Sequence, residues 1–260
     1  MSAARNGINM VNAIEIHTES ATTPVYLITG GKGGVGKSML ALVFIDQLLL
    51  RGKRVLYFET DTANADVFFC LERDPKNAPG QAIDGVTMCT INIENGNAWA
   101  GMLQLMEDHA DHVVVIGTAS RTLDYVREYG YMLRETLPLI RRRLVTLWVI
   151  DEQIDSVIQL KDHLEVFPES ETHVIKNSKH GPDFPFYDGG DVHAAVSAKG
   201  GLSLPMPRLL LCVVNSLYSE RLAISQALGV LPTVNKIILQ HFRKACGKML
   251  EPILAREDSP

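Results

Sequence analysis

The sequence predicts an α/β protein: a doubly wound, mainly parallel sheet with helices on both faces, a Rossmann-like three-layer arrangement. Three observations predict it. Strand-like and helix-like segments alternate along most of the 260 residues, the pattern of repeated βαβ units. Several strand segments, such as Val113-Val114-Val115-Ile116, are apolar without interruption, as strands covered on both faces must be. The first strand runs straight into a glycine-rich loop and then a helix, the order that places a ligand at the carboxyl end of a sheet.

Val25 to Gly30 is the first strand, and Gly30 to Ser38, reading GGKGGVGKS, is the loop. Residues 38–51 are apolar nearly all round, which predicts a buried helix, and Gly52 is placed to end it as a C-cap. Arg54 to Phe58 is the second strand. Gly85 to Ile93 reads as a strand or hairpin segment, and Asn97 to His109 has helical spacing. His112 to Gly117 is a buried strand followed by a helix over Thr122–Ile140. Leu144 to Ile150 is a strand, Gln153 to Val166 a helix and Thr172 to Asn177 a strand. A Gly/Pro/Asp-rich loop spans Ser178–Gly190, and Leu202 to Pro205 is a short strand. Two or three helices from Arg208 to Arg256 close one domain over 24–256. Residues 1–23 are polar and mixed and read as a flexible extension.

The loop carries the phosphate-binding pattern Gly-x-x-x-x-Gly-Lys-Ser over Gly31–Ser38. Glycines let successive main-chain N–H groups close on phosphate oxygens. The free amides and positive end of the next helix favour the same anion. Gly31, Lys32, Gly33, Gly34, Val35, Gly36, Lys37, Ser38 and Met39 are therefore the expected nucleotide cradle. Lys37 is expected to reach the β- and γ-phosphates, and Ser38 to put its hydroxyl on Mg2+. The second strand ends in Glu59-Thr60-Asp61, two carboxylates that point the same way in extended chain, toward the crevice where the phosphates lie.

Lys32 lies inside the loop, giving Lys-Gly-Gly-Val-Gly-Lys-Ser, and here the chain resembles the deviant Walker A P-loop ATPases of the ParA/MinD type. The resemblance is tight over residues 25–66. It implies ATP and Mg2+ as cofactors and a homodimer with ATP sandwiched between subunits, Lys32 reaching the facing subunit's nucleotide. It also implies that Asp61 positions the attacking water and that Glu59 helps hold the hydrated metal. Asn64 matches a polar position of the same segment. Asn177, at the end of a strand, matches the residue that reads the adenine edge, with Asn215 a rival. The segment Asp61–Asn64, with Trp148, Asn177 and Leu204-Pro205-Met206, further resembles the ParA-like proteins of plasmid mobilisation and conjugal transfer (the TraL-like branch).

The chain departs from that family twice. Relatives carry an acid at the end of the Val113–Ile116 strand, where this chain has Gly117-Thr118-Ala119-Ser120. Glu59 or Asp61 must then bear more of that role, or hydrolysis is slow. Asp151 is a rival acid, read as part of the next helix's N-terminus. Met39 replaces a hydroxyl that touches the α-phosphate, a loss of ~1 kcal/mol.

A net charge of −5 argues against a constitutive nucleic-acid protein. Four scattered cysteines without Cys-x-x-Cys point to a reducing, cytoplasmic setting. No apolar stretch approaches the ~18 residues of a spanning helix. Arg141-Arg142-Arg143 reads as a solvated helix end or as a patch for non-specific DNA. His109 and His112 read as surface residues rather than a metal pair. The basic, apolar stretch from Lys236 to Leu254 is expected to pack on the domain rather than to bind a membrane. The main expectation is a slow, partner-stimulated ATPase switch that positions or partitions plasmid or mobile-element DNA or a transfer complex, answering to an activator protein still to be identified. Two rivals stay open: a P-loop metabolic ligase of the dethiobiotin-synthetase or cobyrinate-amidase type, and a nucleotide-binding scaffold with little turnover.

Overall fold

The uninterrupted apolar runs become the strands of one sheet. A computed structural model describes residues 22–257 apart from 75–77, 121 and 180. The extension expected over residues 1–23 lies almost wholly outside the described residues. In chain order the elements are β1 (Thr23–Thr29), α1 (Lys37–Leu50), β2 (Val55–Glu59), α2 (Asp66–Cys70), β3 (Glu72–Asp74), β4 (Ala78–Ala82), β5 (Val86–Thr90) and α3 (Gly96–Asp108). There follow β6 (Val113–Gly117), α4 (Leu123–Leu139), β7 (Arg142–Ile150), α5 (Ile154–Val166), β8 (Glu171–Asn177) and α6 (Asp191–Ala198). The chain closes with β9 (Ser203–Met206), α7 (Leu211–Ser219), α8 (Ile224–Val230) and α9 (Thr233–Leu254).

Seven strands pair in the order β5-β2-β6-β1-β7-β8-β9, every neighbour parallel. Alternate residues of each strand face opposite layers. Tyr26, Ile28, Tyr57, Val115 and Val149 pack with α1, α8 and α9 in one core. Val25, Leu27, Phe58 and Ile116 pack with α3 and α4 in a second, and Trp148, Ile150 and Val174 with α5 and α6 in a third. The expected doubly wound three-layer fold is the one observed.

Helix α1 is buried from Met39 through Leu48 without a break. That run includes Asp46, whose carboxylate receives Nε and a terminal nitrogen of Arg243 on α9 at 2.6 and 2.7 Å. A buried carboxylate is tolerated when a guanidinium meets it through two hydrogen bonds. The helix stops where expected: Gly52 takes φ 71° and its N–H returns to Leu49 O. Helix α9 buries Leu239, Phe242, Cys246, Met249 and Leu250 in the same core, so the stretch read as domain-packed does pack on the domain.

Four elements were not expected. The five-residue α2 and the hairpin β3–β4, a separate antiparallel pair, follow the acidic segment. Helix α6 follows the Gly/Pro-rich loop. The arginine run is also different from either reading. Arg142 is 2 % exposed and donates to the carbonyls of His112, Met106 and His109 at 3.0, 3.0 and 2.8 Å. Arg143 pairs with Glu171 at 3.1 Å, and Arg141 turns at φ 55° to start β7. Arg142 thus ties α3 to the sheet.

Candidate functional site

The strand ends of β2, β6, β8 and β9 and the start of α1 converge on a cavity of about 590 Å3, a size that holds a small organic ligand. Gly33, Gly34, Gly36, Lys37, Ser38 and Met39 form one wall; Glu59, Asp61 and Asn64 form another. Asn177 and the segment Met206–Leu209 close the far end. The expected cradle residues Gly31, Lys32 and Val35 lie behind or beside this wall. Val35 is buried and its carbonyl accepts from Asn177.

The loop geometry follows from its glycines. Gly36 precedes α1 with φ 107°, which strains any residue with a side chain, and a Cβ there would stand 2.5 Å from Asn177 Nδ2 and push that amide off its bond to the loop. No acid occupies the first turn of α1, which leaves its amides and positive end unopposed. Lys37 turns back over the loop. Its Nζ donates to Lys32 O at 2.9 Å and to Ser120 Oγ at 3.3 Å. Burial depresses its pKa, and the nearby Asp61 carboxylate offsets part of that. An ammonium held against two neutral oxygens is a cation presented to an anion.

Lys32 does not line the cavity. It reaches along the surface to α5, where its Nζ pairs with Asp151 Oδ2 at 2.9 Å and donates to Gln153 Oε1. Asp151 also accepts Ser156 Oγ at 2.6 Å and the Gln153 N–H at 3.2 Å. It is thus the helix-start acid that the sequence suggested, with a lysine partner that it did not. Partial burial pushes the Asp151 pKa up, but the hydrogen bonds from Ser156, Lys32 and Gln153 outweigh it and the net shift is down.

The two acids after β2 take different postures. Asp61 folds onto its own turn and accepts the Asn64 N–H at 3.0 Å. Glu59 is 4 % exposed and accepts the Tyr57 hydroxyl at 2.8 Å and the Asp61 N–H at 3.0 Å. Beside them Thr118 donates to Thr29 Oγ1 at 2.8 Å, and the Ala119 N–H to Thr60 Oγ1 at 3.2 Å. Strand β6 ends in Gly117 and brings no carboxylate. Ser38, Glu59 and Asp61 are hard oxygen donors on the cavity wall, a set that suits Mg2+. Among the described residues no group of three or more His, Cys, Asp or Glu could hold a metal alone.

Glu59 sets a measurable pH dependence. Burial raises its pKa to about 7, despite bonds from Asp61, Tyr57 and Phe68 that favour the carboxylate. A carboxyl whose folded pKa exceeds its unfolded value stabilises the fold fully below the unfolded pKa. That contribution is lost as pH rises through the folded pKa. The shift corresponds to on the order of 3 kcal/mol. Glu59→Gln stays neutral throughout, so its apo melting temperature is expected to exceed the wild type's by several degrees at pH 8 and by much less at pH 5. Equal gaps at both pH values would refute the buried-acid account.

At the far end, Asn177 Nδ2 donates to Val35 O at 2.6 Å, so the amide ties β8 to the loop while lining the cavity. Asn215 lies exposed on α7. Met206, Pro207, Arg208 and Leu209 complete this end; of these only Met206 had been singled out, because a coil segment after a short strand carries no periodic signal. His109 and His112 stack edge to face at 5.0 Å between ring centres. His112, 4 % exposed, is buried rather than on the surface and bonds Asp111.

Comparison with known proteins bears on the whole domain. Residues 26–245 match the model of the CobQ/CobB/MinD/ParA nucleotide binding domain. The chain is 36 % identical over 232 residues to protein MobD of Acidithiobacillus ferrooxidans, covering 88 % of this chain and 97 % of that one. Its fold is similar to the MinD cell division protein of Aquifex aeolicus (TM-score 0.51, 15 % identity, 86 % of this chain and 97 % of that one). It is similar also to a ParA family ATPase from Chlorobium tepidum (TM-score 0.54, 13 % identity, 86 % and 98 %). Among the described residues no helix is long and apolar enough to cross a membrane.

Proposed function

The chain belongs to the CobQ/CobB/MinD/ParA nucleotide-binding domain family, and from that premise we propose that it is a cytoplasmic ATP-driven switch that dimerises face to face and serves the mobilisation of a plasmid or other mobile element. The observation that carries the ATP-binding part is Lys37, an ammonium turned into a glycine cradle whose hydrogen bonds, among the described residues, go to two neutral oxygens. Gly33 to Ser38 and the start of α1 would hold the phosphates, and Asn177 with Met206–Leu209 the base. Ser38, Glu59 and Asp61 would hold Mg2+, which supplies charge neutralisation at the phosphate oxygens when bound. Asp61, on the cavity wall, would orient the attacking water. With no carboxylate on β6, hydrolysis is expected to be slow until a partner protein stimulates it.

The mobilisation role is supported by the 36 % identity to protein MobD over nearly its full length. Dimerisation is supported by the position of Lys32, held on the rim by Asp151 and away from its own cavity. Titration calorimetry of the pure protein with ATP and Mg2+, followed by light scattering with and without nucleotide, tests both parts. Saturable ATP binding and an ATP-dependent rise in mass from monomer to dimer are expected. No heat of binding would end the reading; binding at constant mass would end its dimer part.

A further inference from the structure

The missing acid at the end of β6 has a steric cause that the sequence could not reveal. Gly117 pairs with Glu59 in the register of β6 against β2, and Tyr57, two residues earlier on β2, projects to the same face as Glu59. A Cβ built on Gly117 would stand 2.5 Å from the Tyr57 hydroxyl oxygen and 3.2 and 3.3 Å from two of its ring carbons. The phenol therefore occupies the seat that a side chain at position 117 would need. That hydroxyl donates to Glu59 Oε2 at 2.8 Å, while the Asp61 N–H takes Oε1 at 3.0 Å. Each carboxylate oxygen thus has a fixed donor, and Tyr57, Glu59, Gly117 and Ser38 all line one cavity.

We propose that Tyr57 is a positioning residue: its hydroxyl holds the Glu59 carboxylate at the metal side of the phosphate cavity, so that β2 supplies the acid that β6 lacks. The absence of a side chain at Gly117 is the space this arrangement needs. Glutamate suits the task because its carboxylate stands one methylene farther from the backbone than an aspartate's, far enough to meet a hydroxyl rising from the same strand. The inference rests on the Mg2+–ATP reading above and deepens it: Tyr57 and Gly117 become part of the machinery that sets the response to the metal. No proton or bond changes hands in this role; the tyrosine orients and the glutamate binds.

The test compares ATP affinity with Mg2+ and with EDTA, measured by calorimetry on the full chain, for wild type, Tyr57→Phe, Glu59→Gln and Gly117→Ala. Wild type is expected to bind more tightly with the metal. Tyr57→Phe keeps the ring and should still fold, melting a few degrees below wild type without nucleotide because the buried Glu59 loses one donor. Its affinity in EDTA should stay within about twofold of wild type, while the gain from Mg2+ falls about tenfold, the loss of one charge-assisted hydrogen bond. Glu59→Gln should lose that gain similarly. Gly117→Ala should lose it in the wild-type background, where its methyl displaces the phenol. It should add little to the loss of that gain in the Tyr57→Phe background, where the hydroxyl that holds Glu59 is already gone. A Tyr57→Phe protein that responds to Mg2+ as wild type does would overturn the assignment alone. An equal loss in Mg2+ and EDTA would reduce Tyr57 to a packing role and overturn it too. Absence of ATP binding by wild type would instead remove the functional reading, and the assignment with it.

Discussion

Lys37→Met should lose ATP binding by roughly two orders of magnitude while leaving the empty protein as stable as before or more so. The lysine's partners in the structure are a carbonyl and a hydroxyl. Each charge-assisted bond that it would exchange for a phosphate oxygen is worth about 1.5–3 kcal/mol, and two of them give roughly a hundredfold or more. The stability side has the opposite sign. Burial depresses the lysine's pKa, so at neutral pH the folded chain holds a cation that it would rather release. A neutral methionine of similar length removes that cost, and the advantage should shrink as pH rises toward the unfolded lysine's pKa. Thermal melting with and without Mg2+–ATP checks both halves. Wild type should shift upward with nucleotide, and the variant should start at or above the wild-type temperature and not shift. A variant that melts well below wild type when empty would show that Lys37 is a structural tie and not a waiting phosphate ligand.

That trade between stability and binding also explains what could be read from the chain in advance. The strand-loop-helix unit around Lys37 is local: an apolar run, five glycines and another apolar run, each with one satisfactory conformation. Its strands and helices were legible to within a few residues for the same reason. The short α2 and the hairpin Glu72–Ala82 were not, because neither has the apolar periodicity that signals an element. The missed contacts are those between distant residues. Arg142 sits in a run of three arginines that reads as exposed, and only the parallel pairing of β1 with β7 carries it under the end of α3. Gln153, 121 residues from Lys32, meets it because β7 lies beside β1. Gly117 could be read as a lost acid; that a tyrosine on β2 fills its place depends on inter-strand register, which a single sequence does not state.

The contact between Lys32 and α5 leads to the second large effect. Lys32→Ala is expected to keep ATP binding within a few-fold of wild type, since its amine points away from its own cavity. The same change should abolish ATP-dependent dimerisation and lower turnover by about a hundredfold, the usual scale for removing one charge that stabilises a reacting phosphate. To act in a facing subunit, Lys32 must first leave Asp151 and Gln153. That ion pair is 28 % and 12 % exposed on its two sides, so it would oppose such a move only weakly; partly solvated pairs are worth about 0.2–1 kcal/mol. Asp151→Asn should therefore shift the dimerisation midpoint to lower ATP concentration by a few-fold at most. That gain should vanish when Lys32 is also alanine, because the only group it could free is gone. Sedimentation velocity across an ATP series measures both shifts, and phosphate release measures turnover. If Lys32→Ala dimerises and turns over as wild type does, the lysine belongs to its own subunit and its pairing with Asp151 is its whole role.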